Sequence, residues 1–267
     1  MAEPPVLSST FFRHLHALHL ALLFLTRLPL GPVRATLTDA DHQRAVLYYP
    51  LAGAVIGLVL ALAAWLLAPA GSLLATALVL ALWVWITGAL HIDGLADCID
   101  SLFAGHKETA PEARRVRILN VMQDPHVGSV AQAALVVLLL VKFAALTQWL
   151  GLTQSFWLLL LIPMLARALA VAFMDCLPYV RREGLVPATD QHQIQMRWAV
   201  ALVAAAVTVI LLPAAVALTA LIALVILFWY WRHLWQLNLG GYTGDCLGAL
   251  VEIAETLLLV VFAVLLA

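Results

Sequence analysis

Seven stretches of this chain, 46–69, 71–91, 127–150, 155–175, 198–216, 217–237 and 248–267, are apolar over nearly their whole length. A helix needs about 20 such residues to cross the hydrocarbon of a bilayer, so each stretch is a candidate crossing. Pro69 and Gly71, Gly151 and Pro213 stand where three of the connections must turn tightly. Only 11% of the chain is charged, against about 25% in a soluble domain, too little to cover a water-facing surface. A soluble enzyme, a disordered chain and a disulfide-framed secreted domain are excluded together. The sequence therefore predicts an all-α, polytopic integral membrane bundle of about seven transmembrane helices, residues 1–267 forming one unit. The run from His14 to Pro29 is shorter and interrupted by Arg27 and three histidines. It lacks the basic start and small-residue cleavage site of a signal peptide and reads as an amphipathic or half-inserted helix on the membrane.

Charge gives this bundle a direction. Of the 14 Lys and Arg residues, Lys142 and Arg167 fall within spans, and all the others fall on or beside segments 1–45, 92–126, 176–197 and 238–247. Among the latter are Arg27, Arg34, Arg117, Arg181, Arg182 and Arg197. The turns near 70, 152 and 214 carry none. The positive-inside rule makes the charged side cytoplasmic. Acidic residues need not follow the arginines, yet most do, Glu183 and Asp190 included. Polar chemistry gathered at one face predicts a membrane-face enzyme with a cytoplasmic active site. A transporter would place ionisable groups toward the midplane on mirrored broken helices, and no internal repeat is visible. A net charge of −1 leaves no basic excess for nucleic acid. Cys98, Cys176 and Cys246 have neither zinc nor CxxC spacing and read as small apolar fillers.

The sharpest motif is His91-Ile-Asp-Gly-Leu-Ala-Asp-Cys-Ile-Asp-Ser101, at the charged end of the second stretch. On a helix, Asp97 lies about 40° from Asp93, and Asp100 about 20° to its other side. Three carboxylates on one narrow face raise one another's pKa unless a cation joins them. Oxygen ligands of this kind suit Mg²⁺ or Mn²⁺, which add substrate phosphates to one or two carboxylates. Asp93, Asp97 and Asp100 are thus metal-ligand candidates, with Mg²⁺ the expected cofactor.

Two further segments carry carboxylates. Val121-Met-Gln-Asp-Pro-His-Val-Gly-Ser129 holds Asp124, readable as a base, a helix cap or a headgroup neighbour. Gly240-Gly-Tyr-Thr-Gly-Asp245 reads as a polar turn entering a helix, where Gly241, Thr243 and Gly244 would present backbone N–H groups to an anion. Asp245 and Glu252 share a face of the helix that follows. Arg117 is a candidate phosphate ligand; Arg114 and Arg115 read more simply as positive-inside charge. Lys142 and Arg167 are either functional or paired with each other or with Asp175.

Taken in order, Phe24-Leu-Thr-Arg-Leu-Pro29, the His91–Asp100 block, Arg117 with Val121–Asp124, and Gly240–Asp245 before Glu252 resemble the adenosylcobinamide-GDP ribazoletransferases (cobalamin 5′-phosphate synthases). That resemblance spans residues 24–255. It implies a Mg²⁺-dependent membrane transferase that joins adenosylcobinamide-GDP to α-ribazole or its 5′-phosphate with release of GMP. It also implies that Asp124 or Asp245 accepts the ribose proton, and that Arg27, Arg117, Lys142 and Arg167 neutralise phosphate charge. Where the family usually has serine after the third block's aspartate, this chain has Pro125-His126. The alternatives are a CDP-alcohol phosphotransferase, whose Asp-Gly…Ala-Arg pattern is broken here because Ala96 precedes Asp97, and a transporter with an acidic vestibule. Association with a second copy or with neighbouring pathway enzymes is compatible with a membrane enzyme this small, although no helix face commits to a dimer seam.

Overall fold

In the computed structural model the described residues are 10–33, 37–152, 156–181 and 191–266. Arg34, Arg182, Glu183 and Asp190, counted above with the charged side, lie outside them. The described residues form eleven α-helices: α1 (Thr10–Leu25), α2 (Asp39–Leu47), α3 (Tyr49–Leu67), α4 (Ser72–Ile86), α5 (Leu90–Gly105), α6 (Pro111–Val121), α7 (Ser129–Leu152), α8 (Leu161–Phe173), α9 (Gln191–Leu211), α10 (Ala214–Asn238) and α11 (Gly244–Leu265). Six spans are long and apolar enough to cross a membrane: α3, α7, α8 with the short turn before it, α9, α10 and α11. The protein is a multi-pass membrane bundle. Its centre is α8 and α11, while α7 and α9 present most of their surface outward.

Local sequence explains the entries and exits. Thr38 and Asp41 form a reciprocal capping box that starts α2, and Pro50 sits in the first turn of α3. Pro213 separates α9 from α10, at the turn the sequence marks. The contact of α3 with α8 depends on Gly53 and Gly57. A Cβ on Gly53 would run into the Pro163 carbonyl, and one on Gly57 would lie 2.5 Å from Leu159 O and Leu160 Cα. Without lipid-excluding hydrophobicity to drive them together, membrane helices associate through such close backbone packing.

One predicted crossing takes a different form. The apolar run 71–91 is not one helix, because α4 stops at Ile86 and α5 leaves at 82° to it. Gly88 (φ +60°) and Ala89 (φ +56°) make the corner in left-handed backbone, which glycine adopts freely and alanine only under constraint. The Gly88 and Ala89 N–H groups close the end of α4 on Trp85 O and Val84 O, both at 3.0 Å. The apolar run is thus divided at the break, and α5, which carries the carboxylates, is not among the six spans. N-terminal α1, read from the sequence as an amphipathic or half-inserted segment, is a short apolar helix, and its end is tied to the same corner. Arg27 N–H donates to Ile86 O at 2.7 Å, and its side chain lies over Gly88, where a Cβ would stand 2.5 Å from Nε. Apolar tryptophans near span ends read as a membrane belt, and Trp85 and Trp198 are exposed accordingly. Trp83 and Trp149 are instead buried in the core.

Candidate active site

The site is built where α5 meets α11, the most extensive helix pairing in the molecule. Gly94 makes the approach possible. A Cβ there would lie 2.9 Å from Asp245 O and 3.1 Å from Asp245 Cα, so the backbone of α11 occupies the space a side chain would need. This contact sets Asp245 beside the aspartates of α5. Asp93 is exposed, while Asp97, Asp100 and Asp245 are half-buried. Burial first, then the charges of Asp245 and Asp93, push the Asp97 carboxyl up to about 7, with Asp100 adding to the effect and Arg181 opposing it. Four carboxylates from two helices therefore share one electrostatic neighbourhood, as the spacing on α5 predicts and as the sequence alone could not extend to Asp245.

Two loops close on this cluster. Gly128 N–H donates to Asp100 Oδ2 at 2.6 Å, and a Cβ on Gly128 would stand 2.6 Å from Asp100 Oδ1. Gly128 is thus what joins the 121–129 block to α5. Asp124 is not. It is exposed, and its Oδ1 accepts from the His126 backbone N–H at 3.0 Å and lies 2.7 Å from the His126 ring. Those contacts hold its carboxyl below the usual carboxylate range. Arg117 is exposed on α6, close enough to Asp124 for its charge to be felt there.

The second loop is the chain after α8. Val180 N–H donates to Tyr242 O at 3.0 Å, and Tyr242 N–H to Pro178 O at 2.9 Å. Gly241 is buried beneath it, and a Cβ there would meet the Pro178 carbonyl and the Val180 side chain. This pairing delivers Arg181, whose Nη2 donates to Asp245 Oδ2 at 2.5 Å and to Met122 O at 3.3 Å. Thr243 caps α11 by accepting from Cys246 N–H, and its hydroxyl also reaches Asp245 Oδ2 at 3.3 Å. Gly244, exposed at the helix start, has nothing within 4 Å of its would-be side chain. Arg181 is the residue sequence reasoning missed: adjacent arginines in a charged loop look like orienting charge, and nothing local distinguishes this one.

Lys142, Arg167 and Glu252 occupy a different place from the carboxylate cluster. All three are buried, together with Glu255. Lys142 Nζ is 2.5 Å from Glu252 Oε1 and 3.1 Å from Glu255 Oε2, and Arg167 Nη1 is 2.6 Å from Glu255 Oε1. Lys142 also lies over the Trp83 ring, 4.8 Å from its centroid. The intramembrane cations thus pair with the glutamates of α11. They pair neither with each other nor with Asp175, which is bound by Arg197 at 2.6 Å. Two cations and two anions make the network neutral, and it joins α7, α8 and α11. Arg167 Nη2 extends it to His91 Nδ1 at 3.5 Å.

Between α1, α3, α5, α8 and α11 lies a cavity of about 340 Å³ that opens on both Asp93 and Asp245 and has Arg167 in its wall. Beyond Arg181 a second, open depression of about 800 Å³ is lined by Arg115, Asn120 and Gln123 together with Val116 and Leu119. Among the described residues no three of His, Cys, Asp and Glu stand together closely enough to enclose a metal ion. Asp100 is engaged by Gly128 and Asp245 by Arg181, which leaves Asp93 and Asp97, one helical turn apart, as the open pair. That set suits Mg²⁺, which takes one or two carboxylates and completes its shell with phosphate oxygens and water.

Comparison with known proteins identifies the family. The family model described as cobalamin-5-phosphate synthase matches residues 17–263. An adenosylcobinamide-GDP ribazoletransferase of Stutzerimonas stutzeri (strain A1501) is 43% identical over 243 residues, covering 90% of this chain and 95% of its own. Proteins of the same name from Pseudomonas aeruginosa (strain UCBPP-PA14) and Acinetobacter baumannii (strain ATCC 17978) are 41% and 37% identical, each over more than nine-tenths of both chains. No solved structure matches. With a model match running from α1 to α11 and relatives this similar over nearly their whole length, the chain belongs to the cobalamin-5-phosphate synthase family.

Proposed function

We propose that the protein joins adenosylcobinamide-GDP to α-ribazole, or to α-ribazole 5′-phosphate, giving the complete corrinoid or its 5′-phosphate and GMP. Family membership supplies the substrates. The observation that carries the chemistry is the meeting of Asp93 and Asp97 of α5 with Asp245 of α11 beside an arginine. In the reaction, the ribose hydroxyl bonds to the phosphorus on the cobinamide side, the diphosphate bridging P–O bond breaks, and GMP leaves with that oxygen. Asp93 and Asp97 would hold Mg²⁺, which when bound offsets the charge of the diphosphate.

The side chains of the chain itself do the rest. Asp245 is the better placed base, because it borders the cavity whereas Asp124 is turned to His126 in an exposed loop. Both contacts of the Asp245 carboxylate fall on Oδ2, leaving Oδ1 to take the hydroxyl proton. Arg181 then stands one carboxylate away from the reacting phosphate and opposes its charge, a role of the kind electrostatic stabilisation requires. Arg117 on α6 adds cationic field further out, and Arg27 fixes the α4–α5 corner that carries Asp93. Lys142, Arg167 and Glu252 act beneath the site by holding α11 against α7 and α8. The charge asymmetry of the loops supports insertion in the bacterial cytoplasmic membrane with this face inward.

The test is GMP release from adenosylcobinamide-GDP and α-ribazole by protein in liposomes, with Mg²⁺ or with EDTA. Turnover should require the metal, and Asp97→Asn should abolish it in protein that remains inserted. Retained turnover in that variant would refute the metal assignment, and CMP release from a CDP-alcohol in place of GMP would refute the activity.

A further inference from the structure

Two cavities touch the candidate site, and their chemistry differs. The depression beyond Arg181 is open and of mixed polarity, with Arg115, Asn120 and Gln123 among Val116, Leu119 and Val180 in its walls. The 340 Å³ cavity is apolar over most of its lining, with Leu25, Val46, Ala170 and Val251 among its walls, and its carboxylates Asp93 and Asp245 belong to the site. Moving a diphosphate into such a cavity would strip an anion of water beside two negative groups, which is unfavourable. An uncharged aromatic ring gains on entering, because its apolar surface leaves water. The donor's reacting group is the diphosphate itself, whereas the acceptor's base can enter ahead of its ribose and leave any 5′-phosphate outside.

The cavity also offers the ring a polar partner. Arg167 is fully buried. Its Nη1 is committed to Glu255 and Pro163 O, but Nη2 has only the 3.5 Å contact with His91, and Nε has no hydrogen-bond partner among the described residues. Buried guanidinium donors left in this state favour a ligand that brings an acceptor. The base of α-ribazole has one: the ring nitrogen that does not carry the ribose. Near the same cavity Phe24 and Tyr49 stack, with ring centroids 5.7 Å apart and planes 13° from parallel, offering the flat surface an aromatic base prefers.

We propose that this cavity is the acceptor subsite: the base of the nucleoside enters among α1, α3, α8 and α11 with its unsubstituted ring nitrogen toward Arg167, and its ribose stays at the mouth between Asp93 and Asp245. The inference rests on the activity proposed above. The nucleotide donor then approaches from the side of Arg181, so that hydroxyl and diphosphate meet across the carboxylates. Arg167 is on this reading a specificity residue as well as a strut of the buried network.

The experiment measures the KM of each substrate by GMP release in liposomes for the wild type, Ala170→Leu and Val251→Phe, which fill the cavity from its α8 and α11 walls. The KM for α-ribazole should rise at least tenfold in both variants while that for adenosylcobinamide-GDP stays within twofold. A second measurement uses the unaltered protein, so that it does not depend on a variant folding. An indole nucleoside, in which the free ring nitrogen is replaced by C–H, should bind at least tenfold more weakly than α-ribazole. An unchanged acceptor KM in active filled variants, a rise confined to the donor, or equal binding of the indole nucleoside would overturn the subsite. Absence of GMP release from the wild type would instead defeat the activity itself, a result none of those three outcomes resembles.

Discussion

Replacing Gly94 with alanine tests the construction of the site more directly than removing any of its carboxylates. The added methyl would sit 2.9 Å from Asp245 O and 3.1 Å from Asp245 Cα. Both are backbone atoms, so no side chain can rotate away. Reaching the 3.4 Å at which ordinary contact begins requires α5 and α11 to separate by about 0.5 Å, and overpacking of this kind costs about 1–3 kcal/mol. The same shift moves Asp245 away from Asp93 and Asp97. Since about 1 Å of misplacement can cost a hundredfold in rate, half of it should lower kcat roughly tenfold. The assay is GMP release per mole of inserted protein, read beside thermal unfolding in detergent. Gly151→Ala is the control, because its new methyl would be 3.6 Å from Ser72 Oγ, an ordinary contact in a helix distant from the chemistry. Turnover of Gly94→Ala within twofold of wild type would refute the claim that this backbone contact sets the carboxylate geometry.

Other consequences follow from the charges. Lys142→Met leaves Glu252 buried without a cation and should destabilise the protein by about 3–5 kcal/mol. Adding Glu252→Leu should recover most of that loss, since Arg167 and Glu255 remain as a neutral pair; a double variant as unstable as the single would show that the pairing does not matter. In metal-free protein Asp97 has a folded pKa of about 7 against 3.8 unfolded, so the native state binds more protons between those values. Stability must then fall as pH rises from about 4 to about 7, and Asp97→Asn should flatten the profile; a melting temperature independent of pH in the wild type would contradict it. Arg181→Ala should lower kcat about 10²-fold, in the range seen for lost electrostatic donors, with Arg181→Lys recovering part; equal activity of all three would remove Arg181 from the chemistry.

Much of this molecule is legible in its sequence, and the limits of that reading have physical causes. Helical periodicity places Asp93, Asp97 and Asp100 on one face because the angle per residue is a property of the helix alone. Apolarity locates the spans, but it says nothing of backbone direction, so the run 71–91 conceals the corner at Gly88 and Ala89. Asp245 and Glu252 do share a helix, as their spacing implies, yet they face different partners: Arg181 for one and Lys142 for the other. Those partners lie 64 and 110 residues away, and no local pattern encodes such pairings. Arg181 was hidden for a related reason, because an orienting arginine and one that pairs with a site carboxylate are the same residue type in the same loop. Asp124 illustrates the converse, a carboxylate in a recognisable motif whose neighbour His126 turns it aside.

The two groups of charges show what distinguishes support from chemistry in a bundle of this kind. Lys142, Arg167, Glu252 and Glu255 are more deeply buried than any site carboxylate, yet they balance: two positive, two negative, the closest pairs within 2.6 Å. A low-dielectric interior tolerates such charges only when each has a partner, and the partners come from different helices, so the pairing fixes the helices together. The cluster of Asp93, Asp97, Asp100 and Asp245 does not balance. Arg181 is the cation whose charge opposes the neighbours of Asp97, and it stands against four carboxylates. Such an excess is unfavourable in the resting protein, and the Mg²⁺ proposed above would relieve it. Burial alone would have pointed to the network as the functional centre. Balance points instead to α5 and the start of α11, where the fold maintains an unpaid negative charge and holds it in place with a neutral network that begins at Glu252, about two helical turns further along α11.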